Sequence, residues 1–381
     1  MAVKILHTAD WHYGLSSWNE GKKTERNQEI ERCLEYMLET ARMEKVDLII
    51  HAGDILDTIT PPSAETARYI SNIFAEMGKI APTVIILGNH DWKGLSAFSD
   101  FAKASNVHIC DNFSCIDVGE MTVFAVPYID RRKVLKNADI NRTAEAEEKI
   151  MGDIFDKIEE GISGDRINIL AMHGSVEGLF YTSEEVFGND LIIKKKYFTD
   201  RIDYTALGHI HNMKKIEDIK GEVYYSGSPI KCTFGEEESD SGFVIVEIDK
   251  NNRTTVKHIK TPHSELKTIY AFISENGMEG LKERINNEIE KSSGQTYFRI
   301  IAEGGKFPNY AYNELMEMNE NIVSVKIKEV RDEVSGDGED ENEISDIKRE
   351  YERYLGFEGI YSQDIYNEFV KFYEMEEDEN E

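Results

Sequence analysis

The segment Val46-Asp-Leu-Ile-Ile-His-Ala-Gly-Asp54 decides the expected fold, because it joins a short apolar run to a glycine and a carboxylate. Apolar runs of about 4–8 residues that stop at turn residues are typical of buried strands. The stretch 24–43 before it carries apolar residues at helical spacing, and 3–8 has the character of a first buried strand. We therefore expect a strand–helix–strand unit with a largely parallel sheet.

The same alternation continues downstream. A helix is predicted over 63–77, with Ser63 as its N-cap, and a third strand over 83–87. Beyond His108 strands become more frequent, with one helix near 142–160. The further strands are predicted at 115–118, 121–127, 167–172, 204–207, 223–226 and 243–248. The fold class is therefore α/β, with two mixed β-sheets flanked by helices.

Five polar motifs each follow an apolar run. They are Asp10-Trp-His12, Gly53-Asp54, Gly88-Asn-His-Asp91, His173-Gly174 and Gly208-His-Ile-His211. Any one of them could be ordinary cap or turn chemistry. Together they offer the oxygen and nitrogen donors that manganese, iron or zinc bind, at the sheet edge where open α/β sheets place ligands. Their joint occurrence predicts two divalent ions that share one carboxylate.

In their order and residue sequence, these motifs resemble those of the calcineurin-like metallophosphoesterase superfamily. Within that superfamily they are most similar to those of the SbcD-type DNA double-strand-break repair nucleases. The resemblance spans about 3–260 and is carried by the stretches 5–14, 207–211, 225–230 and 234–236. It implies a four-layer αββα core. It also implies manganese-dependent exonuclease and endonuclease activity, in which water attacks the phosphodiester in line without a covalent enzyme intermediate.

The resemblance also implies a ligand set. Asp10, His12, Asp54 and His211 would hold the first ion. Asp54 would bridge to the second ion, which Asn89, His173 and His209 would complete. His90 would not ligate; it would stabilise the transition state or assist the leaving oxygen. Manganese is the preferred metal, and iron and zinc stay open.

One position departs from the family pattern. Many relatives carry a second catalytic histidine shortly after the bridging aspartate, where this chain has Asp57. The part that Asp57 plays in the chemistry is left open.

The remaining histidines match no motif: His7, His51, His108, His258 and His263. For His7 and His51, which lie in apolar strands, we expect packed, hydrogen-bonded rings. The four cysteines show no CxxC pair and no zinc-ligand spacing, so they are interpreted as reduced packing residues.

The net charge of −29 opposes simple nucleic-acid binding, because phosphate backbones attract cations. Residues 331–381 include 19 acidic and 5 basic residues, so this segment carries about half of the net negative charge. We expect weak DNA affinity in the isolated chain, with a partner supplying basic surface. Three basic clusters could touch phosphates, although most such runs are solvated surface: Lys22-Lys23, Arg131-Arg-Lys133 and Lys194-Lys-Lys196.

The predicted organisation has five parts: a nuclease domain at 1–262, an α+β capping, DNA-contacting module at 263–330, an acidic linker at 331–344, a helical pair at 345–375 and an acidic tail at 376–381. Two short isolated helices are not stable alone. The pair either folds back on the body or, as the resemblance implies, docks on an SbcC-type ABC ATPase.

The resemblance further implies a homodimer through helices near 63–77 and 95–104. The sequence contains no apolar stretch of about 18 residues, so we do not expect a membrane-spanning helix. A cytoplasmic location is expected. Two alternatives remain: a small-molecule or cyclic-nucleotide phosphodiesterase, and a non-catalytic scaffold, which the intact donor set disfavours.

Overall fold

The computed structural model of the chain describes residues 2–15, 18, 20–135, 143–178, 191–273, 277–292 and 294–329. The predicted acidic linker, helical pair and acidic tail lie outside these residues.

The strands are β1 (Val3–Thr8), β2 (Leu48–His51), β3 (Thr83–Ile86), β4 (Val107–Cys110), β5 (Ser114–Val118), β6 (Met121–Val126), β7 (Ile167–His173), β8 (Tyr204–Gly208), β9 (Lys214–Lys215), β10 (Val223–Tyr225), β11 (Gly242–Ile248), β12 (Thr254–Lys260), β13 (Glu265–Phe272), β14 (Thr296–Gly304) and β15 (Ile322–Glu329). The helices are α1 (Glu20–Glu44), α2 (Ala64–Ile80), α3 (Ser99–Lys103), α4 (Arg131–Leu135), α5 (Thr143–Gly161), α6 (Gly277–Glu290) and α7 (Ala311–Glu317).

Two six-stranded sheets form the body. The first has the order β12-β11-β1-β2-β3-β4. Strands β1 to β4 pair in parallel, whereas β11 is antiparallel to both of its neighbours, β1 and β12. The second has the order β5-β6-β7-β8-β10-β9, with parallel pairing from β6 through β10. The central strands are apolar along most of their length because both of their faces are buried.

His7 joins the two sheets. Its Nδ1 lies 2.8 Å from the Tyr204 hydroxyl, and its Nε2 lies 3.1 Å from the carbonyl oxygen of Leu207. Since a carbonyl only accepts, Nε2 carries the proton, and burial lowers the pKa of His7 to about 3. His51 is also fully buried, and its Nδ1 accepts the N–H of Gly53 at 3.2 Å. Both rings are packed and hydrogen-bonded, as expected.

Helices cover the outer faces of the sheets. Residues of α1 and α2 share an apolar cluster with the first sheet, and residues of α5 share one with the second. A third cluster fills the space between the sheets. These layers confirm the predicted two-sheet α/β class. Ser63 caps α2 by accepting the N–H of Thr66 at 3.1 Å, as predicted.

Some elements differ from prediction. The edge strands β4 and β12 were not predicted, and β12 exposes alternate residues, so its sequence lacks an apolar run. Helix α2 continues past its predicted end to Ile80. Three cysteines are buried, but Cys115 is exposed, so its interpretation as a packing residue was wrong: it lies on the outward face of the edge strand β5.

A small three-stranded parallel sheet, β13-β14-β15, packs with α6 and α7 around its own apolar cluster. It contacts the body through polar and aromatic side chains. The Tyr297 hydroxyl donates to Glu25 at 3.1 Å, and the Arg299 guanidinium lies 4.9 Å from the Phe234 ring centre. Among the residues described, no helix is long and apolar enough to cross a membrane.

Candidate metal centre

The five polar motifs lie at the carboxyl ends of five parallel strands. Strands β1, β2 and β3 of the first sheet lead into Asp10-Trp-His12, Gly53-Asp54 and Asn89-His90. Strand β7 of the second sheet ends at His173, and β8 leads into His209 and His211. Because the two sheets face each other, their carboxyl edges bring these side chains together.

Several of these residues have a strained backbone. Asp10, His12, Asp54 and His209 have φ angles of 53°, 46°, 59° and 109°. Positive φ is uncommon outside glycine and costs about 1–3 kcal/mol, and such residues cluster at functional sites. Here it turns the chain sharply after each strand, so that the side chain reaches the sheet edge.

Glycine permits the close approach of these loops. A Cβ atom on Gly88 would collide with the carboxylate and backbone nitrogen of Asp54, and one on Gly53 would collide with the His173 ring. Both motif glycines therefore make room for neighbouring donors.

One group of donors contains Asp10, His12 and His211, whose ligand atoms lie within 4.8 Å of one another. The Nε2 atoms of His12 and His211 are 3.0 Å apart. His12 Nε2 is also 3.7 Å from Asp54 Oδ2. Asp10 is fully buried, and both of its oxygens accept the N–H of His209 at 3.0 Å.

The second group contains Asp54, His173 and His209, again within 4.8 Å. Asn89 joins it, because its Oδ1 lies 2.9 Å from His173 Nε2 and 3.2 Å from His209 Nδ1. Asp54 Oδ2 lies 3.4 Å from His173 Nε2. Asp54 is thus adjacent to both groups. The structure brings all seven predicted donors together.

Groups outside the donor cluster contact Nδ1 of three rings, and two of these contacts are hydrogen bonds that set the tautomer of the neutral ring. His173 Nδ1 donates to the carbonyl of Ala52 at 2.7 Å, and His211 Nδ1 donates to Glu236 Oε1 at 3.0 Å. His12 Nδ1 lies 3.3 Å from Asp57 Oδ1. When the rings of His173 and His211 are neutral, Nε2 of each carries the lone pair and can bind a cation. A bound cation would stabilise such a cluster of acceptors. A buried imidazole with a fixed tautomer is also a good metal ligand. The residues therefore fit a metal pair.

Electrostatics favour positive charge at this site. Burial opposes charge on His173, but the Asp54 carboxylate outweighs burial and raises the pKa of His173 to about 9. Burial likewise opposes charge on His211, yet Glu236 holds its pKa well above the usual value. Despite burial, His173 and His12 hold the pKa of Asp54 well below its ordinary range.

Asp91 braces the loops that carry the donors. It is buried, and its carboxylate accepts backbone N–H groups at 2.8–3.0 Å from two loops. The four donors are Gly88, Asp54, Ile55 and Leu56. Burial and the nearby Asp54 raise the pKa of Asp91 to about 6, and the N–H donors oppose this. Its place in the Gly88–Asp91 motif was recognised from sequence, but this bracing role was not.

His90 lies beside Asp54 and outside these two groups, and it forms a further cluster of possible ligands with His12 and Asp57. Its backbone N–H donates to Asp54 Oδ1 at 2.8 Å, and its Nδ1 donates to the carbonyl of Asp57 at 3.1 Å. With Nδ1 engaged as a donor, Nε2 can give a proton only when the ring is an imidazolium. Asp57 therefore contacts two histidines, His12 through its carboxylate and His90 through its carbonyl.

Glu236 was part of a recognised sequence stretch, but no role was predicted for it. It is buried and forms a capping box with Thr233 at the start of a short turn, 234–236. The Thr-x-x-Glu spacing, Thr233 to Glu236, is the signal that could have identified this box.

A sequence model of the calcineurin-like phosphoesterase family matches residues 3–213, more than half of the chain. The chain belongs to the calcineurin-like phosphoesterase family. It is 25% identical over 308 residues to the SbcD component of the nuclease SbcCD from Staphylococcus saprophyticus, covering 78% of each chain. The resemblance to SbcD-type proteins is thereby confirmed, and the chain is a metal-dependent phosphodiesterase.

Two solved structures are also similar. One is a dimetal phosphatase from Danio rerio, 10% identical, with a TM-score of 0.45, covering 68% of this chain and 96% of that one. The other is an archaeal phosphodiesterase, 14% identical, with a TM-score of 0.31, covering 68% of this chain and 100% of that one.

Proposed function

We propose that this phosphoesterase is the DNA nuclease subunit of an SbcCD-type double-strand-break repair complex, with exonuclease and endonuclease activity. The observation that carries the proposal is the position of Asp54, adjacent to two groups of nitrogen and oxygen donors. Similarity to the SbcD component of a nuclease along 78% of both chains supports the DNA substrate.

The metal assignment follows the two groups. Asp10, His12 and His211 would hold one ion together with Asp54, and Asn89, His173 and His209 would hold the other together with Asp54. Imidazole, carboxylate and amide donors suit manganese. When bound, two such ions would neutralise phosphodiester charge and lower the pKa of water from about 16 to about 7, which supplies a nucleophile.

The protein's own residues prepare the reaction. Asp91 and the positive-φ loops hold the donors in place before substrate arrives. His90, with its ring oriented by the carbonyl of Asp57, would stabilise the transition state or assist the leaving oxygen. A well-placed donor of this kind is typically worth about 3 kcal/mol of transition-state stabilisation.

The domain limits and the partner belong to the same proposal. The module at 263–330 would contact DNA, and residues 345–375 would bind the SbcC-type ABC ATPase. The staphylococcal relative is one component of the SbcCD assembly, which supports such a partner. A DNA substrate also favours the expected cytoplasmic location.

An apolar groove supports the proposed homodimer. It has a volume of about 760 Å³ and is lined by α2 and by residues between 92 and 109. Ala67, Ser71 and Ala75, spaced one helical turn apart on α2, line it with Phe74 and Leu95. A second copy of the chain would cover this groove through the helices near 63–77 and 95–104.

A cleavage assay tests the function. Purified chain with manganese is given duplex, single-stranded and hairpin DNA, with and without the ATPase, beside bis(p-nitrophenyl) phosphate and cyclic nucleotides. We expect manganese-dependent cleavage of DNA that the ATPase increases. Efficient hydrolysis of cyclic nucleotides with no cleavage of any DNA would show a small-molecule phosphodiesterase instead. Absence of all hydrolysis in metal-loaded protein would show a scaffold.

A further inference from the structure

An open cleft adjoins the candidate metal centre. It has a volume of about 1160 Å³, and its lining includes Asn89 and His90. Small-molecule pockets usually span about 300–1,000 Å³, so this cleft suits something longer than a single compact ligand. Its lining also includes residues of the segments 111–113 and 126–133.

Two lysines line this cleft. Lys93 follows the Gly88–Asp91 motif and Lys133 lies in α4, and both are exposed and line the cleft. The neighbouring Lys133 ammonium is the main cause that lowers the pKa of Lys93, ahead of burial. Two ammonium groups at close range repel one another, and an anion between them would remove that repulsion.

The cleft also contains carboxylates, most of which have partners. Asp91 accepts four backbone N–H groups, and Asp57 faces His12. Asp130 Oδ1 lies 3.3 Å from Arg132 Nε. Asp111 and Asp130 are close enough to favour the charged form of Lys93. Lys93 and Lys133 thus line the cleft beside carboxylates that mostly have other partners.

Aromatic rings line the same cleft. Tyr128 and Phe113 are partly exposed within it. The Tyr128 ring centre is 6.1 Å from that of His173, and the Tyr128 N–H bonds Leu87 O at 2.9 Å, which fixes the residue beside the metal donors. Cationic grooves with aromatic rings are typical of sites for single-stranded nucleic acid, because unpaired bases stack on the rings.

We propose that Lys93 and Lys133 form a clamp for a backbone phosphate of a single DNA strand, next to the phosphate that is cut. The clamp rests on the proposed nuclease function and specifies how that site takes its substrate. Bases next to the clamped phosphate stack on Phe113 and Tyr128. A duplex keeps its bases paired and stacked, so the cleft favours a frayed or unpaired strand.

The test uses the full chain and the double variant Lys93→Gln/Lys133→Gln. Binding of a labelled single-stranded oligonucleotide is measured by anisotropy in EDTA over a series of KCl concentrations, and cleavage is measured with manganese. We expect affinity to fall about tenfold. The slope of log affinity against log salt should become shallower by about 0.7, the value for one phosphate that is no longer neutralised on a single strand. Hydrolysis of bis(p-nitrophenyl) phosphate should be unchanged.

The matched control is Lys250→Gln/Lys257→Gln, which removes two exposed positive charges outside the cleft. It should leave the salt slope unchanged. If the clamp variant binds and cuts single strands like the unmodified chain, the clamp is overturned while the nuclease function stands. An equal loss of affinity for blunt duplex would overturn the single-strand preference. If the unmodified chain hydrolyses the small diester but cuts no DNA, the proposed function falls, and the clamp falls with it.

Discussion

The Nε2 atoms of His12 and His211 face each other at 3.0 Å, although the two residues are 199 positions apart. Each ring is held from behind by a carboxylate, Asp57 for His12 and Glu236 for His211. Both Nε2 atoms are thus directed to the same point. This relationship makes the outer carboxylates, and not only the proposed ligands, part of the candidate metal centre.

Glu236→Gln is expected to weaken metal binding while the protein stays folded. The carboxylate fixes the His211 tautomer and makes the ring more basic, and loss of such a partner typically costs ten- to a hundredfold in metal affinity. Titration calorimetry with Mn²⁺ measures the change. Glu238→Gln, at an exposed position two residues away, is the control and should bind metal normally. Equal affinities in both variants would contradict the role of Glu236.

Asp54→Asn is expected to abolish turnover with the fold intact. The substitution removes the negative charge adjacent to both donor groups. The loss of activity should exceed the roughly hundredfold loss that is typical when a hydrogen-bond partner of a metal ligand is removed. Hydrolysis of bis(p-nitrophenyl) phosphate measures activity, and circular dichroism checks the fold. His173→Ala should behave similarly. Full activity in Asp54→Asn would remove the bridging assignment.

His90→Gln should separate rate from metal binding. In the proposed assignment His90 is not a ligand, although it lies in a further cluster with His12 and Asp57, so metal stoichiometry and affinity should match the unmodified chain. The turnover rate should fall by about 10²–10³, the usual loss for one transition-state donor. Single-turnover cleavage with saturating Mn²⁺ gives the rate. A parallel loss of metal would instead make His90 a ligand.

The metal-free protein should lose stability as pH rises. The pKa of His173 is about 9 when folded against an ordinary 6.5, so the folded state binds the proton more tightly. This contribution is complete below about pH 6.5 and is lost as pH rises through about 9, with a size of up to about 3 kcal/mol. Thermal unfolding in EDTA measures it, and His173→Gln should show a smaller decrease. The same decrease in both proteins would assign it to other groups.

Deletion of 341–381 should abolish binding to the SbcC-type ATPase and leave manganese-dependent cleavage unchanged. The reason is that the proposed docking helices lie in this segment, whereas the seven metal donors lie before residue 212. Co-purification measures binding, and the diester assay measures activity. If the shortened chain still bound the ATPase, the docking assignment would be wrong.

Much of the body could be predicted because its signals are local. Apolar runs such as 3–8 and 83–87 end at polar motifs, and helical periodicity marks α1 and α2, so the layers and the positions of the donors follow from neighbouring residues. The strand β12 was missed because an edge strand needs no continuous apolar run.

The sequence by itself determined which residues offer donor atoms and that they follow strand ends, since both depend on residue type and local order. Only the tertiary structure decided that Asp57 and Glu236 contact His12 and His211, that Asp91 braces two loops, and that Lys93 and Lys133 line one cleft. Those relationships join residues far apart in the chain. They arise from how two sheets and their loops pack, which no local pattern encodes.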